Sequence, residues 1–226
     1  MKQFHSIAIL ATLLHFSLAY SPHRAITRRV WFVGSLASSS ALLLPVTPIS
    51  AVLTADSLQL FDDPVRGFSL MVPSEWIFSN KVLRDRRELL LWQDPTDGRT
   101  ALTIAYTPIR DDFTSLASFG SVDQVAAQTI LPKGALAGFE DDPFAKMLSA
   151  TSAKQAYFFD YRQTVPLTDE GTPTHFRAIF ALQQGATGGA GSMLVTITAQ
   201  TPESRYPVLQ KTLDAIVDSF GKSKTA

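Results

Sequence analysis

HFRAIFALQ, residues 175–183, alternates along its whole length. Phe176, Ala178, Phe180 and Leu182 fall on one side and His175 and Arg177 on the other. Period two over this length predicts a strand with one buried face. Its neighbours repeat the pattern. QAYFFDYRQTV, 155–165, sets Tyr157, Phe159 and Tyr161 on one face, and GSMLVTITAQ, 191–200, does the same with Met193, Val195 and Ile197. The links PLTDEGTPT (166–174) and QGATGGAG (184–191) are rich in turn residues, which suits antiparallel neighbours.

Upstream, GFSLMVPSEW (67–76) alternates Phe68, Leu70 and Val72 against Ser69 and Met71 and stops at Pro73. ELLLWQDP (88–95) is a short apolar run. TDGR turns the chain into ALTIAYTPI (101–109), where Leu102, Ile104 and Tyr106 alternate with smaller residues. These three pieces read as one antiparallel meander. GSVDQVAAQTILPKG (120–134) changes period: Ser121 and Gln124 make a capping box, and Val122, Val125, Ala126 and Ile130 share a helical face closed by Pro132. AKMLSATSA (145–153) reads as a further short strand. The chain closes on a helix with Thr201 as N-cap, Pro202 first, Glu203 in the first turn and a stripe of Leu209, Leu213, Ile216 and Phe220. Pro207 is expected to kink or restart it. The expected class is α+β, an αβα sandwich around an antiparallel sheet of about six strands, as one domain over 56–226.

Charge and composition narrow the chemistry. The first 55 residues hold four basic residues and no acidic one, which leaves 16 basic against 20 acidic residues in the remainder. A mildly acidic body argues against nucleic acid or anionic lipid as a partner. There is no cysteine, which excludes disulfides, thiolate catalysis and Cys-ligated metal centres. Three of the four histidines, His5, His15 and His23, lie in the leader, so the body keeps only His175.

That leader reads as two export signals in series. Residues 1–19 carry Lys2, an apolar core from Ile7 to Leu14, and a Ser17–Leu18–Ala19 ending, the form of a secretory signal peptide. Cleavage there would expose Tyr20 and a basic, acid-free stretch. TRRVWFVGSLASSSALLLPVTPISA, 27–51, then pairs Arg28 and Arg29 ahead of an apolar run and resembles a twin-arginine signal. A membrane anchor is the alternative, weakened by Gly34, Ser38–Ser40, Pro45 and Pro48. Residues 20–51 are read as a plastid transit and thylakoid signal, with final cleavage at Ala51 or Ala55. An aromatic residue behind the first signal, then basic residues, then a twin-arginine signal resembles targeting in an alga with a secondary plastid. The expected destination is the thylakoid lumen.

The body resembles the PsbP family from about Phe61 to Phe220. The resemblance is carried by FDDPVRGFSLMVPSEW, by TALTIAYTPI followed by FGSVDQVAAQTI, by QAYFFDYRQTV, and by MLVTITAQTPESRY before the last helix. It implies an αβα sandwich and a noncatalytic extrinsic protein bound to photosystem II lumenal subunits. Such a protein supports stability, assembly or the retention of calcium and chloride at the oxygen-evolving complex. Relatives called PsbP-like and PsbP-domain proteins serve other thylakoid complexes such as photosystem I. Only about a dozen residues would precede Arg66–Gly67–Phe68 after cleavage, and the body is net acidic. Both features favour the PsbP-like or PsbP-domain role.

Resemblance also sets His175 opposite Glu203, a pair that would hold Ca2+ or another divalent cation. The alternative is a histidine hydrogen-bonded at a sheet edge. Glu140–Asp141–Asp142 with Asp111–Asp112 is the densest acidity, without EF-hand spacing, and reads as a solvated loop. Arg84, Arg86 and Arg87 in KVLRDRRE form a basic stretch for docking on acidic lumenal subunits, or simply an exposed run. The Tyr157, Phe159, Tyr161 stripe reads as core, a pigment or quinone pocket being the alternative. A lumenal enzyme would have to rely on carboxylates, and no spacing singles out a pair. A small-ligand carrier using QGATGGAG lacks the strand-to-helix setting of a phosphate cradle.

Overall fold

The computed structural model describes residues 58–83, 87–110, 112–131, 145–164, 173–183 and 191–225. Two antiparallel sheets make up the body. The smaller contains β1 (Leu58–Asp63), β2 (Phe68–Pro73) and a two-residue strand near the C-terminus, β10 (Gly221–Lys222). The main sheet has seven strands. In chain order they are β3 (Ile77–Val82), β4 (Glu88–Gln93), β5 (Ala101–Pro108), β6 (Ala145–Ala153), β7 (Ala156–Thr164), β8 (Pro173–Gln183) and β9 (Met193–Pro202). Their spatial order is β3-β4-β5-β9-β8-β7-β6.

The α+β layering expected from the sequence is present, with one more strand in the main sheet and a second, small sheet. One face of the main sheet buries Leu102, Ile104 and Tyr106 of β5 with Val195, Ile197 and Ala199 of β9. Over them lie the small sheet and helix α2 (Tyr206–Asp218), which contributes Leu209, Leu213, Ile216 and Val217. The other face carries Tyr157, Phe159 and Tyr161 of β7 and Phe176 and Phe180 of β8. It is covered by α1 (Val122–Val125), which runs on into a π turn over Ala126–Ile130. The aromatic stripe is therefore core, and Tyr161 stacks on Phe176 with centroids 4.8 Å apart.

Three expectations need correction. GFSLMVP is not part of a meander with ELLLWQ and ALTIAYTP; as β2 it sits between β1 and β10 in the small sheet. The partner of β4 on that side is β3, whose six residues are all exposed and so show no burial alternation. Thr201 and Pro202 do not start the last helix. They close the β8–β9 ladder opposite His175 and Thr174, and α2 begins at Tyr206. Pro207 accordingly lies in the first turn, where its missing N–H is not needed, and it does not kink the helix. The capping box forms as expected: Ser121 Oγ accepts from Gln124 N at 3.3 Å and Gln124 Oε1 accepts from Ser121 N at 2.9 Å. Pro132 lies outside the described residues.

Candidate functional site

On the α2 side of β7 and β8, beyond the apolar Phe158 and Ile179, the residues between the aromatic ones are charged: Asp160, Arg162, His175 and Arg177. Antiparallel register sets Asp160 opposite Arg177 and Arg162 opposite His175. The end of β9 pairs Thr201 with His175, and Glu203 follows two residues later, its backbone N–H donating to Pro173 O at 2.8 Å. Three strand ends and the first turn of α2 thus meet around one imidazole.

His175 is 2% exposed. Its Nδ1 lies 2.8 Å from Glu203 Oε2 and its Nε2 2.7 Å from Asp160 Oδ1. The ring of Tyr206 stacks on it, with centroids 3.4 Å apart and planes 6° from parallel. A neutral imidazole donates from one nitrogen only, so both hydrogen bonds are made when each nitrogen carries a proton. Around this centre Arg162 Nη1 approaches Glu203 Oε1 at 3.6 Å, and Arg177 Nη1 approaches Asp160 Oδ2 at 3.4 Å while pairing closely with Asp214 of α2. Burial works against the Arg177 charge, but the Tyr206 hydroxyl and the Asp214 and Asp160 carboxylates outweigh it and raise its pKa. The Tyr206 hydroxyl is also raised, by burial first and then by the two aspartates, against the opposing hydrogen bond from Arg177.

The structure thus brings the sequence-predicted pair, His175 and Glu203, together as hydrogen-bond partners. It does not arrange them as ligands. Both ring nitrogens are engaged, and the two carboxylates address opposite edges of the ring, so no single ion is reached by all three. Among the described residues no group of three or more His, Asp or Glu side chains is placed to hold a metal ion. Placed as partners of one another rather than converging on one point, these residues do not fit a divalent cation.

Of the basic stretch, Arg87 is half-buried at the base of the β3–β4 hairpin, its carbonyl accepting from Leu83 N at 2.8 Å. Arg84 and Arg86 lie outside the described residues, as do Glu140–Asp141–Asp142, Asp111 and most of the QGATGGAG loop. Asp112 pairs with Arg110 at 3.1 Å. An open cleft of about 830 Å³, lined by Arg66, Leu116, Tyr157 and Gln183 among others, lies at the end of β8. Among the described residues that line it, the one guanidinium, that of Arg66, is already engaged by Asp63 and Glu88.

Sequence reasoning missed Asp160, Arg177, Asp214 and Tyr206. A signal for the first two was present: Asp160 and Arg162 alternate with the aromatic stripe just as His175 and Arg177 do, so charged residues on two adjacent strands had to share a face.

Among the described residues no helix is long and apolar enough to cross a membrane. Several solved structures are similar to the chain, among them these three. The solution structure of cyanobacterial PsbP (CyanoP) from Synechocystis sp. PCC 6803 is 20% identical with a TM-score of 0.48, covering 79% of this chain and 99% of that one. LpqN of Mycobacterium tuberculosis, involved in cell envelope biogenesis, is 13% identical with a TM-score of 0.40, covering 74% and 91%. The Ran-binding protein Mog1p of Saccharomyces cerevisiae is 10% identical with a TM-score of 0.40, covering 72% and 94%. No curated protein sequence matches the chain. The family model for PsbP matches residues 56–221, all but a few residues of the folded body, and the chain belongs to the PsbP family.

Proposed function

We propose that the protein is a noncatalytic extrinsic protein of the thylakoid lumen that associates with photosystem II and supports its stability or assembly. The observation that carries this reading is the family match over residues 56–221. The polar centre around His175 suits a scaffold: each charged group there is paired with another, an arrangement that ties three strands to a helix. The two signals in the leader support the lumenal destination and, through the aromatic and basic stretch from Tyr20 to Arg29, a secondary plastid. Little chain precedes Arg66–Gly67–Phe68 once the leader is removed at Ala51 or Ala55, which favours a PsbP-like or PsbP-domain role over direct retention of calcium and chloride. Arg84, Arg86 and Arg87 are the basic residues proposed to meet an acidic lumenal partner.

Affinity capture from detergent-solubilised thylakoids, followed by native gel migration, tests the reading. Comigration with photosystem II supports it. Comigration with photosystem I or another complex moves the role to an assembly factor of that complex. A free monomer that turns over a substrate overturns it in favour of a lumenal enzyme. Reversing Arg84 and Arg86 to glutamate is expected to release the protein from membranes at lower salt, and an unchanged extraction profile removes those residues from the docking surface.

A further inference from the structure

β3 bounds the main sheet, and among the described residues nothing pairs with its outer side. Its pairing with β4 is regular over all six positions. Leu83 N donates to Arg87 O within the next pair of the same register, marking a hydrogen-bonded position. Antiparallel alternation then turns the backbone groups of Lys81, Ser79 and Ile77 toward β4. The N–H and C=O of Phe78, Asn80 and Val82 point outward. Three apolar side chains on this strand are exposed: Ile77 by 61%, Phe78 by 53% and Val82 by 72%.

Free edges are normally blunted by bulges, prolines or charges. The opposite edge, β6, is interrupted by a register shift between Met147 and Ser149. In the small sheet the C-terminal tail is tied to β1, with Thr225 Oγ1 donating to Asp62 Oδ2 at 2.6 Å. β3 has no proline and no bulge, and Lys81 is its one charge.

The strand is self-complementary. A two-fold axis normal to the sheet keeps its two faces, so each residue must meet one an even number of positions away. Centring the axis on Asn80 sets Phe78 against Val82 of the second copy, Asn80 against Asn80, and Val82 against Phe78. These are the three residues with outward backbone groups, so about six inter-copy hydrogen bonds form. The same register makes two aromatic–β-branched pairs on the face where Phe78 packs on Trp92 at 4.9 Å. Centring on Ser79 instead would set Ile77 against Lys81 and leave the outward groups of Val82 unused.

We infer that β3 is a docking edge for a second copy of this chain, paired antiparallel about Asn80 so that the two main sheets become continuous. A six-residue pairing covers on the order of several hundred Å² per copy, at the low end for specific interfaces, so the dimer is weak, with a Kd on the order of tens of micromolar. The two Lys81 ammonium groups fall on diagonal positions and repel, so added salt tightens the dimer.

Sedimentation velocity of the full chain over about a hundredfold range of concentration, with amide hydrogen exchange resolved by residue, tests this. The expected result is a monomer–dimer equilibrium in which the amides of Phe78, Asn80 and Val82 gain protection with concentration, while those of Ile77, Ser79 and Lys81 are protected throughout. Val82→Lys should raise the Kd at least tenfold and leave the melting of the monomer unchanged. A chain that stays monomeric overturns the inference. So does association through any other surface, which would leave those three amides exchanging freely at all concentrations, and this measurement on the unsubstituted chain stands even if Val82→Lys fails to fold.

Discussion

His175 holds a position where loss of one side chain strands two others. Replacing it with alanine leaves Asp160 and Glu203 without their shared partner and removes the ring on which Tyr206 stacks. Both carboxylates keep some contact with water, so the loss falls short of that for a fully buried pair. The expected cost is about 2–3 kcal/mol in urea unfolding, with a melting temperature lower by roughly 5–10 °C. A change under about 0.5 kcal/mol would mean that solvent already screens the cluster. Tyr161 and Tyr106, together with Tyr206 beside His175, set the alkaline limit. Burial raises the Tyr161 hydroxyl well above its ordinary range, and burial together with the Asp63 carboxylate, which accepts its hydrogen bond, raises that of Tyr106. In the unfolded chain both ionise near pH 10. Their contribution is therefore complete below about pH 10 and is lost above it, because the unfolded state gives up protons that the folded state keeps. Stability is expected to fall by up to about 1.4 kcal/mol per pH unit for each tyrosine. Tyr161→Phe should lower the slope measured by denaturation from about pH 9 to pH 11 by up to about 1.4 kcal/mol per pH unit, and an undiminished slope would exclude Tyr161 as a source.

Among the elements, α1 and α2 begin in opposite ways. The Ser121–Gln124 box satisfies two backbone donors at the start of a four-residue helix that then widens, Leu131 N donating to Ala126 O five residues back. That wider turn delivers Ala126, Thr129 and Ile130 to the core. Ser121→Ala is expected to cost about 1 kcal/mol, with local exchange faster across residues 122–130. A neutral substitution would show that packing of Ile130 and Val125 alone holds the segment. α2 starts without a side-chain cap, from Arg205, and has proline in its first turn. Arg205 is occupied elsewhere, its Nη1 reaching Asp94 Oδ2 at 3.1 Å and Asp97 Oδ2 at 3.2 Å. Because Pro207 fits the first turn and restricts the unfolded chain, Pro207→Ala should destabilise by about 0.5–1 kcal/mol. Relief of a kink would instead raise stability, so the sign of the change decides.

For the whole molecule, the two sheets are tied together through Arg66. Arg66, in the β1–β2 turn, bonds Asp63 Oδ2 at 3.0 Å and Glu88 Oε2 of β4 at 2.6 Å, and its guanidinium sits 3.9 Å from the centre of the Tyr106 ring of β5. Arg66→Ala should cost about 1–2 kcal/mol and speed amide exchange in β1 and β2 more than in β8 and β9. Equal acceleration in both sheets would show that they open as one unit. Much of this architecture was legible in advance. The strand signals in 155–165, 175–183 and 191–200, the capping box at Ser121 and the stripe of Leu209, Leu213 and Ile216 are local properties, written by residues two to four positions apart; β7, β8 and β9 form where they were read, but β8 and β9 are buried on both faces rather than one. β3 was not legible because a strand exposed along its length has no alternation to show, and Thr201–Pro202 misled because a helix-start motif can equally end a strand. The sequence by itself determined most of the strands, though not β1, β3 or β10, since side-chain period depends only on near neighbours. Only the tertiary structure decided that β2 leaves the main sheet, that α2 waits until Tyr206, and that His175 meets Asp160 and Glu203, 15 and 28 residues away. The reason is that register between strands, unlike period within one, is settled by the packing of the whole.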